Sequence, residues 1–190
     1  ELALAEIGER FGGWASAEPI GEPVPAAPVH ENAPIFLVDA PGSAQTGFYV
    51  AFPGLREGAP EEAPTRLGTI VLGGTFTSRL NSLLREKRGY TYGVRAGVYS
   101  QREGGTLTVR TRIRTDVTAD ALVDLLGELD SIQKGITPEE LAKAQGAARQ
   151  DVVESLQSQS GASGTYADYL AAGRPPTAFA DELTGLNAVT

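Results

Sequence analysis

The chain has 190 residues, 41% of them hydrophobic, which is enough for one globular domain with a core and some peripheral structure. Its net charge of −8 argues against a nucleic-acid surface, because phosphate binding draws on clustered lysine and arginine. The absence of cysteine excludes a disulfide framework and cysteine-based zinc sites.

A helical pattern opens the chain, because Leu4, Ile7 and Phe11 recur at the spacing of one apolar helix face. No N-cap residue precedes this pattern, and another helical pattern, Ala178 to Val189, runs almost to the last residue. We therefore interpret the chain as a fragment of a longer protein, whose other residues could hold further chemistry.

Proline recurs through residues 19–33, and such a composition favours an extended connector over a helix. We predict that residues 1–18 are the tail end of a preceding domain and that residues 19–33 form a linker. The main domain is then expected at residues 34–190, truncated at its C-terminus.

Two pairs of β-prone runs follow. Ile35 to Asp39 and Gln45 to Phe52, with a Pro-Gly turn signal between them, predict an antiparallel pair. Tyr92 to Tyr99 and Thr106 to Arg114 predict a second hairpin, with its turn at Glu103-Gly104-Gly105. The last run alternates between a face expected to pack and a face expected to meet solvent; the packing residues are Leu107, Val109, Thr111 and Ile113, and the others are Thr108, Arg110, Arg112 and Arg114.

Helical patterns lie between and after the hairpins. The first, Thr65 to Leu72, is interrupted by Gly73-Gly74, and Thr77 or Ser78 can cap the next helix. A third helix should follow Thr118 and end near Lys134-Gly135; its predicted apolar stripe is Leu122, Leu125, Leu126, Leu129 and Ile132. Thr137-Pro138-Glu139-Glu140 has the sequence of a capping box and starts a long helix. This order of elements predicts an α+β fold with helices packed on one face of a largely antiparallel sheet.

Two adjacent motifs support a family resemblance. LGGTFTSRLN at residues 72–81 and LREKRGYTYGV at residues 84–94 resemble the C-terminal, non-zinc half of the pitrilysin and mitochondrial-processing-peptidase family of zinc metallopeptidases. The resemblance extends more weakly over about residues 33–190 and implies the processing-peptidase-like half fold. It also implies that the zinc site belongs to the partner half, where an inverted H-x-x-E-H motif binds the metal. That motif is absent from this chain.

The resemblance further implies catalytic and substrate-binding roles for Arg85 and Tyr92, which lie seven positions apart as in the family motif. A guanidinium and a phenol can both donate hydrogen bonds to a substrate carbonyl and to the charge that develops on its oxygen. Without the motif, Arg85 would be interpreted as a solvated charge near a helix end, and Tyr92 as a core or cross-strand aromatic. Tyr90 is the alternative to Tyr92.

Three other features have competing interpretations. The segment Gly73 to Ser78 is either an anion-binding loop or a close packing joint between helices, and it lacks the lysine of a phosphate-binding P-loop. Arg110, Arg112 and Arg114 either line a pocket for acidic peptides or protect a solvent-facing strand from edge pairing. His30 is the only histidine, so we expect no metal site in this chain.

We therefore predict the non-catalytic half of a zinc-dependent peptidase, which closes over an extended peptide while another domain or subunit carries the zinc. Because the chain holds no complete active site, whether it is itself an enzyme stays open. The alternatives are a structural subunit and a peptide-binding module on the same fold. The expected partners are a zinc-bearing half, in cis or in trans, and a peptide, with no nucleic acid. No apolar run approaches the roughly 20 residues of a membrane-spanning helix, so we expect a soluble chain, in a bacterial cytoplasm or periplasm.

Overall fold

The computed structural model describes residues 2–14, 35–101 and 104–190. Its three strands form one antiparallel sheet in the order β1-β3-β2, where β1 is Gln45–Gly54, β2 is Thr91–Gln101 and β3 is Gly104–Arg114. The helices of the described residues are α1 Leu2–Phe11, α2 Glu62–Thr69, α3 Thr118–Ile132, α4 Pro138–Ser155, α5 Gln159–Ala171 and α6 Ala178–Ala188. Two π-helical segments, Ile70–Gly74 and Asn81–Lys87, and a short 3-10 turn, Thr115–Val117, complete the elements.

The predicted α+β fold with helices on one face of an antiparallel sheet is confirmed. Along β3, Val109, Thr111 and Ile113 are buried while Arg110 and Arg112 are exposed, as the alternation of the sequence predicts. The buried face of the sheet packs against α3 and the π-helical segments. This first core consists of Leu72, Leu80, Leu84, Val94, Val109, Ile113, Ala121 and Leu125.

A second core joins three helices beyond the sheet. Leu67 of α2, Ala148 of α4 and Leu186 of α6 are all fully or almost fully buried in it. Ile132 at the end of α3 packs against both cores, so the helical layer is continuous. The opposite face of the sheet has no helix over it in the described part of the chain, and it is this face that carries the exposed arginines.

The start of α4 is fixed by polar contacts. The predicted capping box is confirmed: the Glu140 N–H donates to Thr137 Oγ1 at 3.2 Å, and the Thr137 N–H donates to Glu140 Oε2 at 2.8 Å. Arg79 donates two further bonds to the Glu140 carboxylate, at 2.7 and 2.8 Å, and one to the Gly135 carbonyl at 3.0 Å. Hydrogen bonding from Arg79 is the main reason that the pKa of Glu140 falls from 4.5 to about 2.

The predicted strand Ile35 to Asp39 is wrong. This segment has no regular structure, and the side chains of residues 35–38 are 84 to 90% exposed. The turn that follows it is present, with Gly42 at a φ of 80°. However, β1 pairs along its length with β3 and not with residues 35–39. An apolar run needs a neighbouring backbone to complete a ladder, and none lies beside this one among the described residues.

Other differences are smaller. In α3, Leu126 is 48% exposed, because the buried face runs through Ala121 and Leu125. Gly104 and Gly105 lie in β3 and not in the turn. The hydroxyl of Ser78 accepts from the Asn81 side chain instead of capping a helix backbone.

At the N-terminus, α1 confirms the predicted helix, although all three of its apolar-face residues are exposed. The helix predicted at Thr65 to Leu72 begins at Glu62 and continues into the π-helical segment Ile70–Gly74. The proline-rich residues 19–33, His30 among them, lie outside the described residues.

Candidate functional site

A groove of about 950 Å³ crosses the three strands. The central strand β3 contributes Arg110, Thr111 and Arg112, and loop 73–76 forms the wall beside β2. The remaining lining residues are Gly47, Phe48, Tyr49, Asn81, Tyr92, Gly93, Val94 and Arg95. Both family-like motifs therefore contribute to one concave surface, which makes this groove the candidate functional site.

A β-bulge presents Tyr92 at this groove. Thr91 is paired with Ile113 and Val94 with Thr111, so Tyr92 and Gly93 together oppose Arg112 alone. Such a bulge bends the strand and redirects a side chain. Tyr92 is consequently 93% exposed, whereas an unbroken alternation from Val94, which is buried, would turn it toward the core.

Two threonine hydroxyls hold the bulge in place. Thr91 Oγ1 donates to the carbonyl of Arg112 at 2.7 Å, and Thr111 Oγ1 donates to the carbonyl of Gly93 at 2.9 Å. The two hydroxyl oxygens lie 3.0 Å apart, and Thr111 is buried. These bonds tie the backbone carbonyls on either side of the bulge to two threonine side chains, so the fold itself holds the bulge that carries Tyr92.

Asn81 joins loop 73–76 to the start of β2. Its side chain is buried; Nδ2 donates to the Thr75 carbonyl and the Val94 carbonyl, both at 2.9 Å, and Oδ1 accepts from the Val94 N–H at 2.8 Å. Nδ2 also lies 3.1 Å from Ser78 Oγ. One amide side chain thus ties the loop wall of the groove to the strand that carries Tyr92.

Arg85 lies in the π-helical segment Asn81–Lys87, with its side chain 28% exposed. Its guanidinium carbon stands 3.6 Å from the ring centroid of Phe76, a residue that lines the groove. Nη1 forms an ion pair with Oε1 of Glu86 at 2.8 Å, but this buried atom makes no hydrogen bond among the described residues. Arg85 therefore contacts the groove wall through Phe76, and its Nη1 group remains a hydrogen-bond donor that a ligand could use.

Of the other residues singled out in the sequence, some line the groove and others lie outside it. Tyr90 packs against the first core. Arg110 and Arg112 line the groove, whereas Arg114 pairs with Asp116 at 3.0 Å outside it. At Gly73, a Cβ would lie 2.8 Å from the backbone nitrogen of Ala96, so this glycine permits close packing of a helix end on β2.

Sequence analysis did not assign Asn81, Thr91, Thr111 or Phe76 to the site. Asn81 and Phe76 lie inside the recognised motif, and the motif was the only signal that could have singled them out. The two threonines are typical strand residues, and only the observed pairing shows that they hold a bulge. Arg95 was also missed, because the extra residue in the bulge changes the alternation along β2.

The residues of this chain do not fit a zinc ion. The sequence contains no cysteine and one histidine, and zinc prefers several such ligands. Within residues 2–14, 35–101 and 104–190, no three His, Asp or Glu side chains come together as a metal site.

One family model matches most of the chain. The model of the peptidase M16 inactive domain matches residues 2–147. The chain belongs to the peptidase M16 inactive-domain family. The predicted relation to zinc metallopeptidases, as their non-zinc half, is thereby confirmed. No curated protein matches the chain by sequence.

Solved structures share the fold. A peptidase M16 inactive domain from Pseudomonas fluorescens is 28% identical over 78% of this chain and 36% of that one, with a TM-score of 0.69. A protease from Helicobacter pylori is 18% identical over 100% of this chain and 47% of that one, with a TM-score of 0.85. The inactive peptidase domain attributed to a zinc protease of Bordetella parapertussis is 18% identical over 82% and 84%, with a TM-score of 0.67. The M16 inactive domain therefore spans less than half the length of the first two of these chains.

No helix in the described parts of this M16 domain is long and apolar enough to cross a membrane.

Proposed function

We propose that this M16 inactive domain closes over an extended peptide and that Arg85 and Tyr92 donate hydrogen bonds to its scissile carbonyl. The zinc site that completes the reaction would lie on another domain or subunit. The observation that carries the proposal is the exposed phenol of Tyr92, which a hydrogen-bonded bulge directs to the groove. A tyrosine with only a packing role would be expected to place its ring against the core, as the partly buried Tyr90 does just before the same strand.

The environment of Arg85 supports the same role. Nη1 of Arg85 makes no hydrogen bond among the described residues, although the Glu86 carboxylate lies 2.8 Å from it as an ion pair. Among the described residues, the guanidinium lies against the Phe76 ring and pairs with the flanking Glu86. A substrate carbonyl arriving at the groove would supply the missing acceptor once the guanidinium turns away from Phe76.

The two groups complement each other chemically. Arginine is charged at every accessible pH and carries several donors, whereas the phenol supplies one directional donor. Together they would stabilise negative charge on a carbonyl oxygen, and each such donor is worth about 3 to 4 kcal/mol in a water-excluded site. In this proposal neither Arg85 nor Tyr92 acts as the nucleophile or as the general base.

The test is turnover in the enzyme assembled with its zinc-bearing half. Arg85→Ala and Tyr92→Phe should each lower kcat by about 100-fold to 1,000-fold, because each removes a donor to the transition state. Lys87→Ala and Tyr99→Phe are matched controls, since both are exposed side chains on the same two elements and neither lines the groove. Folding should be unaffected in all four, as measured by the melting temperature. Wild-type turnover in both Arg85→Ala and Tyr92→Phe would reduce these residues to packing roles.

A further inference from the structure

Three arginines share the exposed face of the sheet inside the groove. Arg95 on β2 is directly opposite Arg110 on β3, and Arg112 follows two residues later on the same face. Opposed side chains on neighbouring strands lie about 4.5 to 5.5 Å apart at their Cβ atoms. Like charges directly opposite each other destabilise a sheet, so this arrangement works against folding.

Nothing in the described part of the chain neutralises these charges. The side chains of Arg95, Arg110 and Arg112 take part in no ion pair or hydrogen bond there, although the backbone carbonyl of Arg112 accepts from Thr91. Arg114, the next arginine along β3, differs because Asp116 receives two hydrogen bonds from its guanidinium. On this face of the sheet, the arginines that line the groove therefore lack a partner within the described residues, whereas Arg114, which lies outside the groove, has one.

We propose that the groove binds a peptide that carries glutamate or aspartate at alternate positions. This inference rests on the proposed function, because it names the class of peptide that the same groove takes. Carboxylates are the partners that arginine binds in bidentate fashion, and the groove presents three guanidinium groups that have no partner within the described residues. The net charge of −8 makes the local excess of positive charge stand out against the rest of the domain.

The spacing favours alternate acidic positions. Arg110 and Arg112 are two residues apart on a strand, which is about 6.8 Å at 3.4 Å per residue. An extended peptide repeats its side chains on one face at the same distance. A Glu-x-Glu peptide can therefore present both carboxylates to Arg110 and Arg112 at once, whereas adjacent glutamates point to opposite sides of the peptide.

There is also room for the peptide. Gly47 on β1 lies opposite Arg112, and no atom comes within 4 Å of the place where its Cβ would stand. Gly97 on β2 is equally open on the same sheet face, opposite Thr108, but does not line the groove. Gly47→Leu thus adds a side chain to the groove lining at a position whose Cβ meets no other atom, and Gly97→Leu is its matched control.

The experiment measures binding of fluorescent, end-capped peptides to the 190-residue chain by anisotropy at low salt. The probes share one sequence and differ only in Glu-x-Glu, Gln-x-Gln or adjacent Glu-Glu at the centre. Two exposed carboxylate contacts, each worth about fivefold, should make Glu-x-Glu bind about 25-fold tighter than Gln-x-Gln. Salt should weaken this preference, because the contacts are partly exposed.

Substitutions in the groove test which residues cause the preference for the Glu-x-Glu peptide. Arg110→Gln and Arg112→Gln should each lower Glu-x-Glu affinity about fivefold. Their melting temperatures should hold or rise, because repulsion on the sheet face is relieved. Arg114→Gln should keep the preference, since Asp116 already occupies its guanidinium. Gly47→Leu should weaken binding of both peptides, and Gly97→Leu should not.

Four outcomes would overturn the inference. Equal binding of Glu-x-Glu and Gln-x-Gln would leave a peptide site without acidic preference. Tighter binding of an uncapped neutral peptide would assign the arginines to a chain-terminal carboxylate. Tighter binding of a single-stranded oligonucleotide would assign them to phosphate. Binding of no peptide below about 1 mM would remove the acidic site. None of these decides the role of Arg85 and Tyr92, which the turnover experiment measures separately.

Discussion

Replacing Asn81 tests how the groove is built. Asn81→Ala leaves two buried backbone groups, the Val94 N–H and the Val94 carbonyl, without their partner, while the Thr75 carbonyl keeps only its bond from the Ser78 N–H. Each unsatisfied buried group costs about 1 to 3 kcal/mol, but water from the groove can reach part of this site, since Asn81 lines the groove. We expect a loss of about 2 to 4 kcal/mol in the free energy of unfolding. That loss lowers the melting temperature of a domain this size by about 5 to 15 °C.

Circular dichroism during thermal or urea unfolding is the suitable assay, because the single tryptophan, Trp14, is exposed and lies outside both cores. Asn187→Ala is the control; Asn187 is exposed and accepts one bond from Arg149, so its loss should cost under about 0.5 kcal/mol. Asn81→Asp separates hydrogen bonding from packing. The side chain keeps its shape but sets an oxygen against two carbonyls, so it should be at least as destabilising as alanine. An Asn81→Asp variant with wild-type stability would refute this reasoning.

Two further substitutions test the packing and charge of the scaffold. Glu140→Gln should cost about 1 to 2 kcal/mol near neutral pH, allowing for the partly exposed position of the Arg79 pair. Because folding lowers the pKa of Glu140 from 4.5 to about 2, this stabilisation is complete above pH 4.5 and is lost as the pH falls toward 2. A difference between wild type and variant that stays constant over this range in urea titrations would contradict the assignment. Gly73→Ala should destabilise the domain, since its Cβ meets Ala96, whereas Gly97→Ala should be tolerated; equal melting temperatures would argue against the close joint.

Much of the scaffold follows from local patterns. The alternation of β3 predicts which of its faces is buried, because the period of side chains on a strand is two. Thr137 and Glu140 predict the capping box that starts α4, since both of its bonds lie within four residues. The motif around Arg85 and Tyr92 predicts the family, which the match over residues 2–147 confirms.

Features that depend on contacts distant in sequence were missed. The run at residues 35–39 has the composition of a strand, but whether a strand forms depends on a neighbouring backbone that composition does not reveal. The bulge at Tyr92 arises from the register between β2 and β3, and a one-residue shift changes which face every later side chain occupies. For the same reason Arg95 and Thr111 could not be assigned to the groove in advance.

The separation of the metal site from this domain is the central claim, and zinc analysis of the purified 190-residue chain tests it most directly. The chain has one histidine and no cysteine, so dialysis against buffered zinc followed by elemental analysis should find far less than one zinc per chain. The same sample should leave peptides uncleaved until the zinc-bearing half is added. One tightly held zinc per chain, together with peptide cleavage by the chain alone, would contradict the account.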